Sequence, residues 1–362
     1  MLILTLGGGL PWVVTRAEPA AQGPALSDAV RDKILNYIRN RFGVPDTVKL
    51  SLAAPHTSPL APSFDEVMVM VDDGKKQGAQ PVLVSKDFHY LVVVPGNGII
   101  ELQTNTPAEM EKRIREAFKT PADVTLSTGR FKPSPYPDFQ QGILTMGQGA
   151  AKQDRVLLLT RDGKHLIVSD MYSLAIDPKQ QALRTISLQN EPTQGPASAP
   201  VTIVEYADLE CPTCARMNEF LETQVVPRYG NKVRIVFKEY PLPFHDWSLT
   251  AAIACQCAYE MNPPTYVPLR TAIFRNQQQI NITNVRETVL TYGEQVGVDR
   301  VKLAGCVDAK SSYPRIQRDV AEAKRIDVNQ TPTVFINGRM LMGLPSEDAY
   351  FQAIDEALRG GK

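Results

Sequence analysis

Cysteine is scarce in this chain of 362 residues: there are five, none before position 211. So few cannot make a disulfide scaffold. Net charge is also absent, with 39 Lys+Arg against 39 Asp+Glu. That removes the electrostatic case for nucleic acid or an anionic membrane surface. No run of about 18 apolar residues occurs, so no transmembrane helix is expected. The first half lacks paired carboxylates, a metal-ligand cluster and a Gly-rich phosphate loop; His56, His89 and His165 are scattered. What is present is ordinary globular material, 43% hydrophobic and 22% charged, enough for about two or three domains.

The apolar run Met1–Val14, followed by small and polar residues, reads as the apolar region and cleavage zone of a secretory signal within residues 1–23. An exported chain can keep stable disulfides.

Residues 27–188 contain an internal repeat. IRNRFGVPDTVKLS (38–51) lies over IREAFKTPADVTLS (114–127) at an offset of 76, and VLVSKDFHYLVV (82–93) over LLLTRDGKHLIV (157–168) at 75. Phe64 lies over Phe139 in the same way. Each unit, 27–105 and 106–188, opens with a helix capped by Ser27 or Thr106 and ended by Pro45 or Pro121. Strands and hairpin turns follow. The expectation is one α+β domain of two helix-plus-antiparallel-sheet repeats, serving as a binding, spacing or dimerising module.

LQNEPTQGPASAP (188–200) reads as a linker, placed at 189–200. VTIVEYADL (201–209) then reads as a buried strand, CPTC (211–214) follows, and the next segment has helical spacing up to Gly230. A C-x-x-C at a strand-to-helix junction is a thioredoxin-like redox pattern. The chemistry explains the placement. Only a thiolate attacks a disulfide, and the unpaired N–H groups at a helix start favour the anion. Cys211 is expected to be the exposed nucleophile and Cys214 the buried resolving thiol, while Asp208 and Glu210 should raise the Cys211 pKa. A zinc site is the competing reading. Cys255 and Cys257 stand two apart on a helix, however, and point roughly 200° from each other, so they cannot complete it.

VTIVEYADLECPTCARMNEFL, RIVFKEYPLPFH (234–245) and AKRIDVNQTPTVFINGR (323–339) occur in order and resemble the DsbA-like thiol–disulfide oxidoreductases. The resemblance covers about residues 199–358. It implies an α/β class: a thioredoxin-like fold over 201–362 with a helical insertion at about 245–327. It implies a cis bond at Thr331-Pro332 facing CPTC, with Thr331 offering its backbone to an extended peptide. It makes Glu205 the family's buried acid, with Lys238 on the neighbouring strand as its partner, the two handling the proton of Cys214. It also pairs Cys257 with Cys306 and leaves Cys255 a buried free thiol. His245 stays open between a place at the site and a loop role.

The function expected from this resemblance is exported disulfide exchange, as oxidase or isomerase, with cysteine-containing protein substrates and no bound cofactor. The signal-like leader implies a periplasmic or other extracytoplasmic location, family analogy adds a membrane redox partner, and the repeat domain allows a homodimer through the N-terminal domain. A client-binding adaptor and a reductase of the same fold are the alternatives.

Overall fold

A computed structural model describes residues 26–360 apart from 75, 97, 149 and 150. The expected leader at 1–23 lies outside these. Residues 26–39 and 46–177 form one compact unit; residues 40–45 and the chain from Pro178 onward form another.

The first unit opens with α1 (Asp28–Phe42), then β1 (Lys49–Leu52), β2 (His56–Thr57), β3 (Phe64–Asp72), β4 (Gln77–Ser85), β5 (Tyr90–Val93) and β6 (Ile99–Glu101). The second repeat gives α2 (Pro107–Phe118), β7 (Thr125–Thr128), β8 (Lys132–Pro133), β9 (Phe139–Gln148), β10 (Ala151–Thr160), β11 (His165–Val168) and β12 (Met171–Ser173). One sheet runs β1-β3-β4-β5-β12 and the other β6-β11-β10-β9-β7. Each repeat therefore lends its last strand to the other's sheet: β6 pairs with β11 and β12 with β5. The units 27–105 and 106–188 are thus interlocked rather than side by side.

The repeat is visible in the packing. Ala61, Phe64, Leu83 and Val92 share a core with Tyr136, Phe139, Leu158 and Ile167, each pair 75 residues apart. The Phe64 and Phe139 rings meet edge-on at 5.4 Å. Both hairpins use one turn device. Ser85 Oγ donates to Asp87 at 2.7 Å and accepts from the Tyr90 amide, while Thr160 Oγ1 donates to Asp162 at 2.6 Å and accepts from the His165 amide. Thr106 caps α2 by accepting from the Glu109 amide.

The main part of the second unit begins with α3 (Pro178–Thr185), so the break falls eleven residues before the boundary expected from sequence. Ala182 explains the shift: it is buried with Val204, Val236 and Phe335 of the second unit. Then come β13 (Thr193–Gln194), β14 (Val201–Ala207), α4 (Pro212–Phe220), a π turn over Leu221–Val225, α5 (Val226–Tyr229) and β15 (Val233–Glu239). The insertion supplies α6 (Ser248–Met261), α7 (Tyr266–Arg275), α8 (Val285–Gln295), α9 (Arg300–Asp308) and α10 (Tyr313–Arg325). The hairpin β16 (Thr333–Ile336) and β17 (Arg339–Met342), with Asn337 and Gly338 at positive φ, and α11 (Glu347–Gly360) close the chain. No helix among the described residues is long and apolar enough to cross a membrane.

The sheet order is β13-β15-β14-β16-β17, with β14 and β15 parallel. Alternation along these strands sorts side chains to two faces. Val201, Ile203, Ala207, Ile235 and Phe237 pack toward α4, α11 and most of the insertion. Val204, Tyr206, Val236 and Tyr240 pack with Ala323 and Ile326 at the end of α10.

The segment 189–200 is not a free linker. Thr193 and Gln194 pair with Val236 and Ile235, and Phe237 N donates to Pro192 O. Glu191, nearly buried, meets Lys238 at 2.9 Å and Arg315 at 3.0 Å. Gly195 takes φ +91°, and a Cβ there would sit 2.3 Å from the Val233 carbonyl. Pro, Gly and polar residues made the stretch look solvated. An edge strand needs only two paired residues, and its one acid is neutralised from the domain.

Candidate active site

β14 ends at Ala207 and the chain turns into α4 through Asp208–Cys211. Pro212 takes the first helical position, where its missing N–H costs nothing. Cys211 is the N-cap and donates its own N–H to the Asp208 carbonyl at 3.1 Å. It is more enclosed than the sequence suggested, at 7% exposure, with Cys214 at 0%. Both are free thiols. The peptide bond Thr331-Pro332 is cis, and the Cys211 thiol donates to the Thr331 carbonyl at 3.5 Å. Residues 120 apart in sequence thus meet at one point.

The two thiols differ sharply. The Cys214 thiol, a contact with Thr331 and the N–H groups of Cys214 and Thr213 outweigh burial and bring Cys211 down to about 6. Burial, then the hydrogen bond and charge of Cys211, then the charge of Glu205, push Cys214 well above the ordinary thiol range. A thiolate of this kind is what disulfide exchange needs.

Cys211 is lowered although Asp208 and Glu210 stand beside it, and both carboxylates are engaged by other groups. Asp208, fully buried, accepts from the Glu210 amide at 2.7 Å and the Leu242 amide at 2.6 Å, and lies 2.9 Å from His245 Nδ1. Glu210 accepts from the Trp247 and Ser248 amides at the start of α6.

Glu205 is fully buried, but Lys238 is not its partner. In the parallel register Glu205 lies opposite Phe237, and Lys238 opposite Tyr206. The period of two therefore sends the two side chains to opposite faces of the sheet. Lys238 meets Glu191, Asp319 and Glu322 at 2.9–3.1 Å on the α10 face. These acids outweigh burial and hold its pKa up. Glu205 is paired instead by Arg270 of α7, which sequence reading missed. Arg270 also donates to Asn218 Oδ1, and its guanidinium lies over the Phe237 and Phe274 rings. A cue was available: Arg270 stands in the apolar run YVPLRTAIFR, among Tyr266, Leu269, Ile273 and Phe274, all buried. Burial raises the Glu205 pKa while Arg270 opposes the rise. Glu205 Oε1 has no hydrogen-bond partner among the described residues.

Away from the thiols, Cys257 and Cys306 form a disulfide joining α6 to α9, and Cys255 is a buried free thiol. No group of three or more His, Cys, Asp or Glu among the described residues is placed to hold a metal ion.

Residues 187–356 match a family model described as Thioredoxin. The Na(+)/H(+) antiporter NhaA of Herminiimonas arsenicoxydans is 31% identical over 169 residues, which are 46% of this chain and 25% of that protein. The chain thus spans about a quarter of the length of the antiporter relatives it matches. Disulfide bond formation protein D of Bacillus subtilis is 22% identical over 179 residues, 48% of this chain and 80% of that protein. Among solved structures, oxidised BdbD from Bacillus subtilis aligns at TM-score 0.45 and 21% identity, over 48% of this chain and 96% of that one. The family model lies over the βα unit that carries CPTC, the cis-proline hairpin and the helices inserted between them, and the C-terminal half of this chain has a thioredoxin-like fold with a helical insertion.

Proposed function

We infer that the chain is a protein thiol–disulfide oxidoreductase that donates disulfides through Cys211 and Cys214. The observation that carries this is Cys211 at the N-cap of α4, its thiol 3.5 Å from the Thr331 carbonyl at the cis bond while Cys214 is fully buried, an arrangement that lowers one thiol to about 6 and raises the other well above 9. In disulfide donation the lowered thiol is the group that leaves last, and its neighbour takes a proton when the mixed disulfide forms. A stabilised thiolate also favours the reduced pair, which makes the enzyme oxidising toward its substrates. Thr331, at the cis bond beside Cys211, is where an extended substrate chain adds its backbone. Glu205, held by Arg270, takes and returns the proton of Cys214.

The substrates in this reading are cysteine-containing proteins outside the cytoplasm, where disulfides persist. A membrane redox partner restores the oxidised pair. The duplicated N-terminal unit grips clients or pairs with a second copy. The test is the equilibrium reduction potential of the pair, measured beside oxidation of a reduced protein and refolding of a scrambled one. A potential well above about −270 mV, the thioredoxin value, with net disulfide formation is expected. Reshuffling without net oxidation would move the reading to an isomerase. A potential near thioredoxin's with neither activity would overturn it.

A further inference from the structure

The Pro-Thr pair between the cysteines carries no cation, and the donors around Cys211 bring its pKa down to about 6. A titratable side chain from elsewhere in the chain is bound to the turn that carries Cys211. His245 lies in the loop between β15 and α6, 34 residues past Cys211 in sequence. Asp208 fixes it there: one carboxylate oxygen takes the Leu242 amide at 2.6 Å and lies 2.9 Å from His245 Nδ1. The His245 amide in turn donates to Leu242 O at 3.0 Å, and the Phe244 ring packs edge-on against the imidazole. The same Asp208 frames both thiols, its carbonyl accepting the Cys211 N–H and its N–H facing Cys214 Sγ at 3.5 Å.

We propose that His245, positioned by Asp208, is the charge partner of the Cys211 thiolate and sets how readily Cys211 leaves. It acts through charge, as a positioning residue. The charged groups around it are Asp208 at the end of β14, Glu210 and Cys211 at the start of α4, and Asp246 beside it. Burial alone would lower the imidazole pKa; Asp208, Glu210 and Cys211 together hold it above the ordinary value. Linkage makes the last of these reciprocal: a thiolate that favours the imidazolium is favoured by it.

The consequence falls on the second half of disulfide donation. A substrate thiolate first attacks Cys211 Sγ of the enzyme disulfide; the S–S bond breaks and Cys214 leaves and takes a proton. The substrate's second thiolate then attacks the substrate sulfur bound to Cys211. The substrate disulfide forms, and Cys211 departs with the bonding electron pair. The substrate loses two electrons and two thiol protons, one ending on Cys214 and one in solvent, and the enzyme pair is reduced. An imidazolium beside Cys211 stabilises the group that leaves last.

This rests on Cys211 being the thiol that bonds to substrate, so the test reads the ionisation of Cys211 itself rather than turnover. In the full chain, the pH midpoint of Cys211 alkylation should rise by about one unit in His245→Gln. Moving the midpoint from about 6 to about 7 cuts the extra weight of the reduced form at pH 7 about five-fold, or about 20 mV toward a more reducing pair. His245→Lys, which keeps a cation, should hold the midpoint low. A His245→Gln midpoint within about 0.2 unit of the parent, or a Lys variant no different from the Gln one, overturns the proposal. If the Gln variant does not fold, the imidazole titration followed by NMR decides. Its midpoint should fall in Cys211→Ser relative to the parent, and an unchanged midpoint overturns the proposal.

Discussion

Arg270 closes on Glu205 at 2.7 Å inside the second unit, both side chains at 2% exposure or less. Two buried charges are tolerated because each answers the other, and breaking such a pair strands the survivor. Arg270→Met should therefore destabilise the protein by about 3–5 kcal/mol. The double variant Arg270→Met/Glu205→Gln should recover most of the loss. Denaturant melts of the two variants check this. A double variant as unstable as the single would show that Arg270 matters through packing on Phe237 and Phe274 alone.

The pH dependence of Cys211 follows from its lowered pKa. A group depressed in the folded state adds stability above its unfolded value, here 9.0, and loses it as pH falls through about 6. The stability of the reduced protein should thus fall, relative to Cys211→Ala, between about pH 9 and pH 6. Alkylation should show a midpoint near 6 for Cys211, with Cys214 silent through neutral pH. Mass spectrometry of the alkylated native protein reads both at once.

Lys238 holds the strap 187–194 to the domain by answering Glu191, Asp319 and Glu322. Removing that cation with Lys238→Met should cost about 3–5 kcal/mol at neutral pH. It should also speed amide exchange at Phe237, which pairs with Pro192 O. The loss should shrink in mild acid. Asp319 is raised to about 7, chiefly by burial, so its proton stabilises the folded state more as pH falls below that value. Equal destabilisation at pH 8 and pH 5 would contradict this account of the cluster.

The Cys257–Cys306 disulfide closes a loop with sequence separation 49. In the chain-entropy treatment a loop of this size is worth about 4 kcal/mol. Cys257→Ala/Cys306→Ala should lose about that much in equilibrium unfolding while leaving the alkylation midpoint of Cys211 in place. A shifted midpoint would tie the insertion's covalent closure to the site.

Local pattern made much of this legible from sequence. The repeat could be read because packing preserved it: Phe64 and Phe139 are equivalent in sequence and touch in the core. CPTC, the helices of the insertion and Asn337-Gly338 could be read because each is a short-range signal. Partners across the fold could not. The partner of Glu205 depends on strand register, and a one-residue difference in parity sends Lys238 to the far face. Arg270 stands 65 residues away on a helix, where single arginines are usually solvated. Glu191 sits in a stretch whose composition reads as linker, and only the three-dimensional arrangement brings Lys238 and Arg315 to it. Asp208 and Glu210 looked like threats to the thiolate until the amides and His245 that occupy them were placed.

The central claim is that Cys211 is the cysteine that bonds covalently to substrate and Cys214 is the partner that releases it, and trapping tests it most directly. The Cys214→Ala variant of the full chain, mixed at neutral pH with an unfolded protein carrying one disulfide, should accumulate a covalent adduct through Cys211. The adduct should run as the sum of the two chains and vanish on reduction. The Cys211→Ala variant should give none. No adduct from Cys214→Ala, or an equal yield from Cys211→Ala, would contradict the account.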